Sequence, residues 1–187
     1  MKNKICLITG ATSGIGKAAA LKLADLGASL ILLSRNEKKV EKTCDQIMQI
    51  NKDAEVNFYS ADISAMKEVR NVSERIKSDF DHIDVLINNA GARFDKYLKN
   101  DEGIELTFAT NHLGHFLLTL SLLEMIKKSS QGRIINISSP AHSRGSEDLD
   151  DITAPENYDR RLAYGRSKLA NLLFTYELSG RLKNTNI

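Results

Sequence analysis

The chain has 187 residues, and 26 Lys and Arg against 24 Asp and Glu leave a net charge of +2. That near balance excludes the basic footprint of a nucleic-acid binder, so no nucleic-acid partner is expected. With 42% apolar residues and two prolines, the composition excludes a disordered or fibrous chain, and the length fits one domain with a real core. Two cysteines, Cys6 and Cys44, are too few for a disulfide framework, and Cys6, in an apolar run, reads as a buried free thiol. No secretory leader follows Met1, and no stretch approaches the ~18 apolar residues of a membrane span, so a soluble cytoplasmic protein without a membrane anchor is expected.

Strand-like and helix-like segments alternate from the first residues, the pattern of a doubly wound α/β sheet. Residues 4–9 read as a short buried strand. The helix after them begins near Gly14 and sets Ile15, Ala19, Leu23 and Leu26 on one face until Gly27 stops it. A second strand covers 29–34, and a charged helix from Asn36 to about Ile50 offers Val40, Ile47 and Ile50 as apolar contacts. The third strand covers 55–61, and Ser64 is the expected N-cap of a helix running to Phe80. A fourth strand at 84–87 precedes two helical stretches, 101–110 and 113–128, and a fifth strand covers 133–138. A polar segment, 140–157, leads to a last helix from about 158 to 183. Its acidic run, Glu147, Asp148, Asp150 and Asp151, reads as solvated surface rather than a lid.

Two motifs carry chemistry. Between the first strand and helix stands Thr9-Gly-Ala-Thr-Ser-Gly-Ile-Gly16, where Gly10 permits a tight turn and Gly14 and Gly16 let backbone N–H groups approach a pyrophosphate at a helix N-terminus. Such a turn alone would equally serve to pack helix on strand. At the end of the second strand, where an NAD-binding protein places Asp or Glu, stand Ser34 and Arg35. A hydroxyl and a guanidinium suit a 2′-phosphate, so NADP(H) is favoured over NAD(H), unless Arg35 merely decorates the surface. Tyr164 and Lys168 lie one helical turn apart, an arrangement in which an ammonium stabilises a phenolate. By itself this spacing is common on any amphipathic helix.

The motifs in order are 9–16, Asp62, Asn88-Asn-Ala-Gly91, Asn111, Ser138-Ser139 and Tyr164-x-x-x-Lys168. Over essentially its whole length the chain resembles the short-chain dehydrogenase/reductase family. The resemblance implies a Rossmann-type fold with five parallel strands in the order 3-2-1-4-5, and residues 1–187 as one dinucleotide-binding and catalytic domain. It implies Tyr164 as acid/base, Lys168 lowering its pKa, Ser139 rather than Ser138 bonding the substrate oxygen, and Asn111 holding a relay water. Cofactor contacts are implied for Gly10, Thr12, Ser13, Gly14, Ile15, Gly16, Ser34, Arg35, Asp62, Ile63, Asn89, Ala90, Gly91, Tyr164 and Lys168. Asp62 would equally serve to precede a Ser64 cap, and Ser139 would equally be a plain loop residue. The stretches 111–119 and 167–174, with 25 positions between Ser139 and Tyr164, resemble the retinol-dehydrogenase-like branch. That likeness implies a lipophilic alcohol or carbonyl substrate.

His112 and His115 flank a Leu-Gly pair, but zinc needs three or four ligands and no set is completed, so no metal is expected. The resemblance also implies further elements after the last helix, and their absence from these residues suggests a shortened or truncated member. The last two long helices carry apolar faces, Phe116, Leu120, Leu123 and Ile126 with Leu169, Leu172, Leu173 and Tyr176, and the resemblance, in which these helices form a four-helix dimer interface, implies a homo-oligomer. The rival reading is a non-catalytic dinucleotide-binding module. A sugar-nucleotide epimerase is disfavoured by the glycine spacing.

Overall fold

The computed structural model describes residues 1–145 and 158–187, so the acidic run of 147–151 lies outside the described residues. Five parallel strands form one sheet in the order 3-2-1-4-5, as the resemblance implied. They are β1 (Ile5–Thr9), β2 (Ser29–Ser34), β3 (Val56–Ser60), β4 (Val85–Asn88) and β5 (Arg133–Asn136). The central strands are apolar throughout because both sheet faces are covered, one core holding Leu7, Ile31 and Leu86 and the other Ile8, Leu30 and Leu32. Helices α1 (Gly14–Asp25) and α2 (Glu37–Ile50) cover the second core, and α3 (Met66–Asp79) and α5 (Gly114–Lys127) pack together over the first. The strand order reverses between β1 and β4, and their carboxyl ends open one crevice, the usual ligand position in such sheets.

At the opposite end of the sheet, Asp84 ties β1 to β4. Its carboxylate accepts from Lys4 Nζ at 2.9 Å, the Ile5 N–H at 2.9 Å and Ser129 Oγ at 2.6 Å. Burial alone would raise its pKa, but these donors outweigh burial and hold it at about 2. Cys6 is a buried free thiol, pushed up to about 11 chiefly by burial.

Several local expectations are corrected. In α1 the inward face is Gly16, Ala20 and Ala24, whereas Ile15 is 69% exposed and Leu26 also faces outward. The small residues win because they let the helix lie close against the sheet. Ile50 is exposed, so Val40 and Ile47 alone of the expected trio anchor α2. Ser64 does not cap α3: the N-cap is Ala65, and Ser64 instead donates its hydroxyl to Asp62 Oδ1 at 2.7 Å. Residues 101–103 form a turn, and the helical path begins with the short α4 (Leu106–Phe108). It then runs through a π-turn, Ala109–Leu113, directly into α5. Ile126 belongs to the core rather than to an outer apolar face.

α5 crosses above the chain at Ile63, and there Gly114 leaves no room for a side chain. A Cβ at that position would meet the Ile63 carbonyl oxygen at 1.9 Å. Gly114→Ala is therefore expected to destabilise the fold by at least ~2 kcal/mol, an overpacking cost that backbone cannot relieve by rotamer change. Urea denaturation with an unchanged midpoint would refute this packing account.

Candidate active site

A cleft of about 1010 Å³ lies along the carboxyl ends of the strands and is lined by residues from β1, β2, the segment after β4 and the last helix. That volume is large enough for a dinucleotide-sized ligand. Its first wall is the glycine turn. Gly10 has φ +68°, and a Cβ there would strike the Ala90 backbone at 2.9 Å. A Cβ on Gly16 would sit 2.3 Å from Asn89 Nδ2 and 2.5 Å from the Gly10 carbonyl oxygen. Gly14, at φ +52°, faces open space. The Ser13 side chain makes no capping bond, and the first turn of α1 carries no acidic residue, so its N–H groups face the cleft without a competing anion. The residues present thus fit a phosphate group, and a bulkier turn would not.

The second wall holds the charge. Arg35 Nη1 donates to Asp62 Oδ2 at 3.0 Å, and Asp62 Oδ1 accepts from the Ser64 N–H at 2.8 Å. Burial pushes the Asp62 carboxyl up, but the Ser64 and Arg35 bonds outweigh it and leave it below the usual carboxylate range. Ser34, Arg35, Asp62 and Ile63 all line the cleft, as do Asn89, Ala90 and Gly91. Asn36 caps α2 by accepting the Lys39 N–H at 3.0 Å, which brings Lys39 to the cleft as a second cation beside Arg35. Sequence reading missed Lys39, although a helix cap two residues after the strand end was a usable signal. It missed Thr9, Arg93, Thr110 and Ile137 on the same walls.

The third wall is the last helix, α6 (Arg160–Arg181), started by Asp159, whose carboxylate accepts the Arg161 and Leu162 N–H groups. Tyr164 and Lys168 both line the cleft. Lys168 Nζ lies 5.6 Å from the centre of the Tyr164 ring, within cation–π range. Lys168 is 3% exposed, and Nζ donates to the Ile137 carbonyl at 2.9 Å. Among the described residues no carboxylate pairs with it. Burial lowers its pKa from the ordinary 10.5 to about 8.

Asn111 and Ser139 do not line the cleft but stand behind it. The Asn111 side chain accepts from the Ala92 N–H at 2.8 Å and donates to the Ala92 carbonyl at 2.9 Å and to Ser167 Oγ at 3.0 Å. Both of its N–H donors are thus committed to protein. Its main-chain oxygen accepts from Asn171 Nδ2 at 3.0 Å. Ser138 donates its hydroxyl to the Lys168 carbonyl at 2.8 Å, whereas Ser139 Oγ accepts the Ala141 N–H at 3.2 Å and keeps its proton to give. Ser139 opens a 3₁₀ turn, Pro140–Gly145, pressed on α6 beside Tyr164. A Cβ on Gly145 would lie 2.6 Å from the Gly165 backbone, and one on Gly165 would lie 2.8 Å from the Ala141 oxygen. This facing glycine pair is invisible to motif reading because its members are 20 positions apart.

His112 and His115 diverge: the former bonds Asn171, the latter Thr9 and Asn111. No group of three or more His, Cys, Asp or Glu suited to a metal occurs among the described residues.

The sequence profile of the short chain dehydrogenases matches residues 4–187. The chain belongs to the short-chain dehydrogenase family. Mouse retinol dehydrogenase 12 is 42% identical over 184 residues, covering 98% of this chain and 58% of that protein. Human retinol dehydrogenase 13 is 40% identical, covering 98% and 56%. A chloroplastic short-chain dehydrogenase of Brassica napus, TIC 32 A, is 40% identical, covering 100% and 61%. The chain thus spans less than two thirds of the length of these relatives. Among solved structures, an uncharacterised protein of Mycobacterium paratuberculosis superposes with a TM-score of 0.84 at 37% identity, covering 97% of this chain and 63% of that one. A short chain dehydrogenase of Shigella flexneri complexed with NADP gives 0.79 at 25%, covering 97% and 72%. No helix among the described residues is long and apolar enough to cross a membrane.

The buried Lys168 ammonium sets a stability cost that a neutral side chain would lack. Its pKa is lowered on folding, so the cost is full below about pH 8 and falls to nothing as pH rises toward 10.5. At about 1.4 kcal/mol per unit, Lys168→Met is expected to stabilise the unliganded fold by up to ~3 kcal/mol at pH 7, with a gain that shrinks above pH 8. Denaturant titrations of both proteins at pH 7 and pH 9.5 check this. A gain that is equal at both values, or absent, contradicts it.

Proposed function

We propose that the protein is an NADP(H)-dependent oxidoreductase that interconverts an alcohol and a carbonyl on a lipophilic small molecule. The carrying observation is Tyr164 beside a buried Lys168 that has no carboxylate partner among the described residues, both on the wall of a cleft whose other end is a glycine turn at a helix N-terminus with no acidic residue in its first turn. Gly10, Thr12, Ser13, Gly14 and the first N–H groups of α1 would hold the pyrophosphate, with Gly16 packed behind them, and Arg35, supported by Ser34 and Lys39, would hold the 2′-phosphate. Bound NADP(H) supplies the hydride donor or acceptor. Asp62 holds Arg35 in place through their ion pair, and with Ile63 on the cleft wall it would contact the adenine.

Tyr164 holds the transferable proton, giving it to a carbonyl oxygen in reduction and taking it from an alcohol in oxidation. The phenolate left behind is stabilised by the Lys168 ammonium, whose charge is little screened because it is buried. Ser139, with its hydroxyl proton uncommitted, would bond the substrate oxygen. Asn111 acts as a positioning residue that fixes Ala92 and Ser167 around the site. The lipophilic substrate rests on likeness to proteins named retinol dehydrogenases.

Tyr164→Phe is expected to lower turnover by about 10³-fold while leaving NADPH-induced thermal stabilisation in place. The unsubstituted protein should be stabilised more by NADPH than by NADH, and Arg35→Ala should remove that difference. Carbonyl reduction by Tyr164→Phe at the original rate would disprove the acid/base assignment. The alternative, a dinucleotide-binding module without turnover, is favoured by one observation: Ser139 stands off the cleft wall. Strong NADPH stabilisation with no reduction across a panel of lipophilic aldehydes would decide for it.

We also infer a homo-oligomer formed through α5 and α6, where Phe116, Leu120, Leu173 and Tyr176 are exposed and the Phe116 ring packs tilted against Phe174 with centroids 5.0 Å apart. Sedimentation at micromolar concentration is expected to show a dimer or larger, lost in Leu120→Glu. A monomeric parent protein would contradict it.

A further inference from the structure

Outside the proposed machinery, one buried polar side chain has no place in the core it occupies. His115 lies on the inward face of α5, one turn before Leu118 and two before Leu122, and is 2% exposed. An aliphatic residue would fill that layer without a polar penalty. One of the imidazole's partners, Thr9, lines the cleft, and the other, Asn111, stands directly behind it. Nε2 is 2.9 Å from Thr9 Oγ1 and Nδ1 is 3.1 Å from the Asn111 main-chain oxygen.

Bond counting fixes the direction of this chain. Thr9 Oγ1 accepts two N–H groups, those of Asn89 and Ala90, each at 2.9 Å. Its two lone pairs are then used, and its proton must be given away. Nε2 at 2.9 Å is a better acceptor position than the Ile87 carbonyl at 3.4 Å. Nε2 therefore carries the lone pair and Nδ1 the proton, which Nδ1 donates to Asn111. The π-turn makes this possible by shifting the helical ladder, so that the Gly114 N–H reaches back to Ala109.

The segment 89–92 is consequently held twice: Thr9 grips Asn89 and Ala90, and the Asn111 carboxamide grips Ala92 through both its N–H and its carbonyl. Between the grips lies Gly91, where a Cβ would be 3.7 Å from Lys168 Nζ. We infer that His115 is a positioning residue that couples these two grips and so holds the floor of the cleft, Ala90-Gly91, in register with Lys168. This rests on the oxidoreductase reading only for its consequence, cofactor affinity. The bridge itself stands on the bonds.

The test uses the full chain. In ¹⁵N spectra the His115 imidazole is expected as the neutral Nδ1–H form from pH 6 to 8, and an Nε2–H form overturns the inference whatever the variants do. His115→Phe keeps a ring and removes both bonds. It is expected to speed amide hydrogen exchange at Asn89, Ala90 and Ala92 about tenfold relative to amides of β2, and to weaken NADPH binding about tenfold by nicotinamide fluorescence. His115→Gln, which returns an acceptor toward Thr9, should recover at least half of the lost affinity. His115→Asn, which reaches only Asn111, should not. If His115→Phe does not fold, the Gln and Asn pair decides, with equal affinities overturning the inference. If the parent protein binds no NADPH, the functional reading fails. If it binds and all variants match it, the positioning role alone fails.

Discussion

The carboxamide of Asn111 is the interaction on which the arrangement around Lys168 depends. It is fully buried and ties two segments to the π-turn that carries it: the strand-end loop at Ala92, and α6 through Ser167. Ser167 in turn donates to the Tyr164 carbonyl at 2.8 Å. Removing one partner from such a network strands the others without water to replace it, which makes the network rigid in proportion to its burial. Asn171 extends it, donating to Asn111 and, at 3.3 Å, to the same Ile137 carbonyl that receives Lys168 Nζ. Tyr164, Ser167, Lys168 and Asn171 are therefore placed by one face of one helix, pinned at a position that the helix alone would not define.

The sheet was legible because its strands are short apolar runs bounded by glycine and polar residues. β2 lies where expected, β1 starts one residue later, β3 is one residue shorter at each end, β4 is shifted by one residue, and β5 ends two residues earlier. The glycine turn and the Tyr164/Lys168 pair were legible for a different reason, since each is a local spacing with a chemical purpose. What sequence did not show was set by close approach between distant segments. The inward face of α1 is made of Gly16, Ala20 and Ala24, residues that periodicity scores weakly because they bury little surface. Their importance lies in the space they leave. Gly114 against Ile63 and Gly145 against Gly165 follow the same logic. The continuous run of α4, π-turn and α5 was hidden because its shift of hydrogen-bond ladder is decided by side chains such as Asn111 and His115, not by local propensity.

Polar residues misled in the opposite direction. Ser64 has the composition of a helix cap, yet Asp62 claims its hydroxyl and its N–H, so that the same carboxylate can face Arg35 with its other oxygen. A capping signal and an ion pair compete for one side chain here. The charge-assisted arrangement prevails because it satisfies three donors at once.

Charge distribution links these parts. Among the described residues the cleft is lined by four cations, Arg35, Lys39, Arg93 and Lys168, and one carboxylate, Asp62. The whole chain is nearly neutral, so this imbalance is local rather than a consequence of composition. Arg35 is exposed and hydrated, and its unliganded cost is small. Lys168 differs, since burial depresses its pKa with no carboxylate among the described residues in compensation. An anion entering the cleft restores that missing compensation and raises the Lys168 pKa again, so its binding free energy includes relief of a cost already present in the empty fold. A residue that burdens the unliganded fold is thus also one placed to respond to an anionic ligand in the cleft.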